Sequence, residues 1–154
     1  MHVKVNINPM PAVRMTQKTM FYGRAAEYVA YKNSVAQELR LNLVGTVKGG
    51  LMEMTDKPDK ASLPIKGTVS INAVFYRERE TNVDIDNLLK TVRDGVQTAG
   101  ILYNASQVRA IKAELYKGAP EGQGWFEFTL KSLSHELHLP KRQDAQIPVA
   151  TAAR

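Results

Sequence analysis

The stretch TNVDIDNLLKTVRDGVQTAG, residues 81–100, decides the fold. Leu89, Val92, Val96 and Ala99 recur in it at three- and four-residue steps, with Ile85 and Leu88 on the flanks. That spacing predicts an amphipathic helix with one buried stripe. Gly100 is placed to end it, because glycine takes the left-handed backbone that closes a helix. A second face carries Asp86, Lys90, Asp94 and Gln97. Two aspartates, Asp84 and Asp86, stand at the start, with Asn87 directly after. Aspartate is a good N-cap, so one of the pair has an ordinary structural account. A cap does not need two acids, however. The helix dipole helps to hold like charges there, and a divalent cation does so far better. Mg²⁺ takes a few carboxylate oxygens and keeps several waters. Lys90, one turn beyond Asp86, reaches towards a phosphate beside such an ion.

Upstream, Val3, Val5 and Ile7 alternate with polar residues and predict a half-buried strand that Pro9 and Pro11 stop. Residues 10–23 read as a basic, proline-bearing loop. From Arg24 to about Leu41, Tyr28, Tyr31, Val35 and Leu39 give a first amphipathic helix. Residues 44–64, rich in Gly, Pro and charge, read mostly as loop. Residues 66–78 read as a strand with Val69, Ile71, Ala73 and Phe75 on one face. Beyond Gly100, QVRAIKAELYK (107–117) and GWFEFTLKSL (124–133) are two further strands, joined through GAPEGQG. The expected order is β-α-β-α-β-β: one α+β domain over residues 1–134, a mixed sheet packed with two main helices, and a polar tail at 135–154.

The 154-residue chain is long enough for one domain with its own core. With 44% hydrophobic and 23% charged residues it does not read as disordered, and no apolar run approaches a membrane span of roughly 20 residues. No secretory signal is evident, so the expected compartment is the cytoplasm. The absence of cysteine excludes disulfides, thiolate metal sites and a Cys nucleophile. The net charge is +6, and residues 1–26 carry Lys4, Arg14, Lys18 and Arg24 with no acid. A segment of one sign favours a polyanion, nucleic acid being the commonest, although a solvated basic surface explains the charge alone equally well. Within this reading Arg14, Lys18 and Arg24 are the candidate phosphate contacts. Glu78 and Glu80 in YRERE (76–80) dilute the positive charge before the first aspartate. Trp125 and Phe126 sit in a strand pattern and read as core.

The run D-x-D-N-x-x-K-x-x-x-D (Asp84, Asp86, Asn87, Lys90, Asp94), the helix, Gly100 and the Gln107–Val108 that opens the next strand together resemble the RusA family of Holliday-junction resolvases. That family occurs in bacteria and especially in their phages and prophages. The likeness covers residues 84–108 well, the first strand, basic loop and first helix more loosely, and the tail not at all. It implies a small α+β homodimer that cuts four-way and branched DNA with Mg²⁺, Mn²⁺ being the alternative ion, and without a small-molecule cofactor. It also implies a bacterial host cell. Asp84, Asp86 and Lys90 fall on the family's catalytic positions, and Asn87 and Asp94 stand behind them as supporting residues. The family's third aspartate falls on Ala105, which leaves that ligand position vacant. The resemblance therefore implies a resolvase with its cleavage lost, either by a deliberate Asp-to-Ala change or as a naturally non-catalytic junction-binding protein. Glu114 or Asp94 is the candidate to replace the missing oxygen. D-x-D also occurs in nucleotide-sugar transferases; the basic N-terminus and the lack of a nucleotide-pocket motif disfavour that class.

Overall fold

The computed structural model describes residues 1–13, 23–45, 47, 49–79 and 82–133. Among the described residues five strands form one mixed sheet: β1 (His2–Val5), β2 (Met52–Thr55), β3 (Val69–Glu78), β4 (Val108–Ala119) and β5 (Trp125–Ser132), in the spatial order β2-β1-β5-β3-β4. Only β3 and β4 run parallel; the other neighbours are antiparallel. Two helices, α1 (Gly23–Val44) and α2 (Ile85–Thr98), share one core with the sheet.

The alternation read from the sequence fixes which side of each strand is buried. Val3, Val5, Val69, Ile71, Ala73, Phe75, Phe126, Phe128 and Leu130 form the buried face. Val35 and Leu39 of α1 and Leu88, Leu89, Val92 and Val96 of α2 close over it. Trp125 corrects the sequence reading. Successive strand residues point to opposite faces, so Phe126 enters the core while Trp125 stays half-buried on the helix-free face. There Lys4 lies 5.1 Å from its ring centre and Tyr76 meets it edge-on.

A second correction concerns residues 44–64. Met52–Thr55 is a strand, paired antiparallel with β1 from His2↔Thr55 to Val5↔Met52. Its alternate residues Met52 and Met54 are buried, so burial against the sheet outweighs the weak local strand propensity of Met-Glu-Met-Thr. Helix α1 also runs further than expected, to Val44.

Helix α2 ends as its sequence predicts. Gly100 has φ 77°, its N–H bonds the Gln97 carbonyl at 3.0 Å, and the Ile101 N–H bonds the Val96 carbonyl at 3.0 Å. This paired closure satisfies carbonyls that would otherwise be stranded at the helix end. The tail at 135–154 lies outside the described residues, and no described helix is long and apolar enough to cross a membrane.

Candidate functional site

Helix α2 is the crossover between the two parallel strands, and that topology arranges the site. Asp84 follows the C-terminal end of β3 and occupies the N-cap of α2 with an extended backbone. Its carbonyl accepts the Asn87 N–H at 3.1 Å, but its carboxylate makes no capping hydrogen bond. Capping therefore does not consume the Asp84 side chain. Asp86, in the first turn, is exposed, as are Asn87 and Lys90. Among the described residues neither carboxylate is held in an ion pair. Lys90 stands one turn from Asp86 on the same side of the helix.

A cleft of about 720 Å³ opens beside Asp84 and is lined also by Arg24, Arg77, Arg79, Glu27 and Asn87. One wall is the segment at 8–13, which is strapped across the start of α2. The Ala12 N–H bonds the Asn87 carbonyl at 2.9 Å, and the Thr91 hydroxyl bonds the Met10 carbonyl at 2.9 Å. Arg77 Nε donates to the Pro9 carbonyl at 3.1 Å, and burial lowers the pKa of this guanidinium. Asn8 accepts the Glu78 N–H at 3.0 Å and packs so closely on Gly124 that a Cβ there would lie 2.8 Å from the Asn8 Cα. The basic loop thus leaves directly from the site. Of its candidate contacts, Arg24 is exposed on α1 and lines the cleft, while Arg14 and Lys18 lie outside the described residues.

Glu78 has a structural assignment: its Oε1 accepts the Gly122 N–H at 2.9 Å and the Gly124 N–H at 3.3 Å, holding the β4–β5 turn. Arg79 follows with φ 62°, a left-handed backbone uncommon for a side-chain-bearing residue, and turns the chain out of β3 into the cleft. Asp94 accepts a hydrogen bond from Tyr28 at 2.9 Å, which ties α1 to α2. Burial, and then this carboxylate, push the Tyr28 hydroxyl well above the ordinary tyrosine value.

Ala105 lies elsewhere. It opens a short 3-10 turn, Ala105–Gln107, immediately before β4, and is half-buried. Asn104 caps the turn by accepting the Ser106 N–H at 2.9 Å, and Gln107 Oε1 accepts the Asn104 N–H at 2.8 Å. Gln107 Nε2 reaches the carbonyls of Ile65 and Gly67 at 2.7 and 2.8 Å. Parallel pairing sets Val108 beside Val69, at the N-terminal end of β3, whereas Asp84 follows its C-terminal end. The two ends are separated by the length of α2, about 21 Å for 14 residues. One chain therefore brings Asp84, Asn87 and Arg24 to one cleft, which Asp86 and Lys90 adjoin on α2 without lining it, and leaves Ala105 at the other end of the helix. Glu114 pairs with Val74 on the sheet face opposite the core and accepts the Tyr116 hydroxyl at 2.9 Å, so it does not join the cluster.

Among the described residues no group of three Asp, Glu or His side chains is placed to hold a metal. Two unengaged carboxylates at a helix start still fit Mg²⁺, which takes one or two carboxylates and fills its octahedron with water and substrate phosphate. No protein-family model matches the chain, and neither does any curated protein.

The strap at 8–13 and the cleft were missed from sequence because backbone groups make most of their bonds. The position of Ala105 did have a signal: strand, helix, strand in succession predicts a parallel crossover, which carries the start of the next strand to the far end of the helix.

Proposed function

We propose that this chain binds four-way and branched DNA and is built as a Mg²⁺-dependent junction endonuclease whose cleavage is lost at Ala105. One observation carries the reading: the Asp84 carboxylate sits at the N-cap of α2 without capping it, beside the exposed Asp86 and above an arginine-lined cleft. A scaffold gains little from two like charges with no ion-pair partner among the described residues. A site for a cation and a phosphate backbone uses both.

Asp84 and Asp86 are the residues that would hold the ion, which when bound polarises a phosphate and lowers the pKa of an attacking water. Lys90, exposed one turn beyond Asp86, would offset charge developing on that phosphate. Arg24 and the loop strapped at 8–13 position the DNA backbone. The third carboxylate cannot come from position 105 of the same chain, given the length of α2 between them. The proposal therefore requires a two-fold homodimer in which Asp84 and Asp86 of one chain meet the turn at 105–107 of the other. Such a dimer presents paired sites to a four-way junction.

Ala105 favours a second reading, a junction-binding protein with no cleavage of its own. Restoring the acid separates the two. Ala105→Asp is expected to give Mg²⁺-dependent nicking of a four-way junction and not of linear duplex, and adding Asp84→Asn to abolish it while binding persists. If Ala105→Asp folds and binds the junction yet stays inert with Mg²⁺ and Mn²⁺, the endonuclease reading falls. Loss of preference for junction over duplex would remove both readings.

A further inference from the structure

Both helices pack on one face of the sheet, so among the described residues the other face is left without a cover. Three aromatic rings stand in line across it. Strand pairing sets Tyr76 of β3 directly beside Trp125 of β5 on one side and Tyr116 of β4 on the other. Directly paired residues share a face. The row lies at the end of β3 that leads to Asp84. Trp125 and Tyr76 are half-buried, and Tyr116 is 53% exposed. Tyr76 and Trp125 lie 6.0 Å apart between ring centres.

A positive charge is directed to this row. Lys4 is flanked in register by Glu53 and Glu127. Among the described residues it forms an ion pair with neither, and its ammonium lies 5.1 Å from the centre of the Trp125 ring. The nearby acids have other partners. Glu127 lies 3.5 Å from His2 Nε2, and Glu114 accepts the Tyr116 hydroxyl at 2.9 Å and lies 4.0 Å from Lys112 Nζ.

We propose that the row Trp125–Tyr76–Tyr116 is a stacking platform for an unpaired DNA strand, with Lys4 against its phosphates. Rings on the open face of a sheet hold bases by their flat sides, and a cation beside them serves the backbone. The row spans two strand spacings, about 10 Å, which takes two or three consecutive bases. A free nucleotide would use one ring and leave the others bare. Size decides against a protein partner. A fully covered aromatic side chain buries about 150–250 Å². Three of them, two already half-buried, offer well under the roughly 800 Å² per side of a stable protein interface. The row is also one residue deep: Glu127, Val74 and Glu114 stand directly behind it on the same three strands. Those carboxylates repel phosphates, so the strand lies along the row and not across the middle of the face.

The inference rests on the reading above in taking this strand to be an unpaired arm of branched DNA. The cleft beside Asp84 lies at the same end of the sheet and is lined by Arg79, which directly follows β3. A strand leaving the cleft passes over the end of β3 and onto the rings.

Trp125 is the chain's sole tryptophan, so its fluorescence reports the row directly. The probe is single-stranded oligothymidylate of roughly ten nucleotides, titrated into the full chain. Saturable quenching of Trp125 is expected, and a fully paired duplex of the same length should give none. Tyr116→Ala, at an exposed position outside the core, should weaken oligothymidylate binding about tenfold, and Tyr76→Leu by a similar factor. Lys4→Gln should lower the slope of log affinity against log salt by about 0.7. Tyr116→Ala should leave the affinity for a fully paired four-way junction unchanged. No quenching throughout the micromolar range overturns the proposal and leaves the row to a partner of another kind. Quenching that duplex matches, that survives both tyrosine substitutions, or that keeps its salt slope in Lys4→Gln overturns it too. Junction preference with an unquenched Trp125 refutes this inference alone. Stacking on Trp125 with no preference for junction over duplex refutes the function alone.

Discussion

If each site is shared between two chains, a site broken in one way on one chain and in another way on its partner can be rebuilt by mixing them. Consider the chain as it stands, with Asp84, Asp86 and Ala105, and a second chain carrying Ala105→Asp together with Asp84→Asn and Asp86→Asn. Neither homodimer has a complete site. The heterodimer has one: the two aspartates of the first chain facing the restored acid of the second. Ligands on one Mg²⁺ lie about 2.1 Å from it, so their oxygens must come within a few ångströms of each other. The 14 residues of α2 hold Asp84 and Ala105 about 21 Å apart within a chain, so no side-chain rotation closes that gap. Random pairing of equal amounts makes about half the dimers heterodimers, each with one working site of two. The mixture should therefore nick at about one quarter of the rate of Ala105→Asp alone at equal total protein. The assay is the first nick in a supercoiled plasmid with an extruded four-way junction, after co-refolding to exchange chains. Both substitutions at the aspartates are close in shape, and Asn remains a good N-cap, so failure to fold is not the expected outcome. A silent mixture beside an active Ala105→Asp homodimer would refute the shared site and with it the reading of α2 as a spacer.

Two further outcomes follow from the site's surroundings. Arg24→Ala should weaken junction binding about three- to tenfold and lower the slope of log affinity against log salt by about 1, since one exposed cation lining the cleft is removed. An unchanged slope in a salt titration would make Arg24 a bystander. Tyr28→Phe removes a hydrogen bond to the Asp94 carboxylate and should cost about 1–2 kcal/mol in urea unfolding at neutral pH. The alkaline limb gives a second readout. The folded-state pKa of Tyr28 is raised above the ordinary 10.0, so its contribution is full below pH 10 and is lost as pH rises beyond it, where the unfolded chain ionises first. Tyr28→Phe should flatten that fall; an identical alkaline slope would show that Tyr28 does not cause it.

What could be read from the sequence was whatever side chains announce. The stripe Leu89, Val92, Val96, the paired aspartates and Gly100 together define α2, because burial, charge and a positive φ each demand a residue type. The alternation in β1 and β3 is legible for the same reason. β2 was not, since its four residues are ordered by pairing with β1 and by burying Met52 and Met54, and neither effect is local. The strap at 8–13 was hidden because its bonds run largely through the carbonyls of Pro9, Met10 and Asn87, which every sequence possesses. Trp125 was misjudged by treating two neighbouring strand residues as one environment, though alternation forbids it.

The turn that holds Ala105 shows how the residue at this position could differ without damage to the fold. Its shape is fixed by Asn104, which caps Ser106, and by Gln107, whose amide closes the cap and grips the carbonyls of Ile65 and Gly67. The side chain at 105 takes no part in these bonds. Gln107 also registers the turn on the segment beside the start of β3, so β4 begins at a fixed level of the sheet whatever residue 105 is. The position can therefore change its chemistry without changing its place. The converse holds at the other end of α2, where Asp84 supplies the backbone of the N-cap while its carboxylate stays unengaged. At both ends the fold is carried by backbone and amide groups, and the side chains that would meet a metal are left out of it. That separation is what the proposed catalytic role requires of them: on that reading their loss should change the reaction and leave the fold standing.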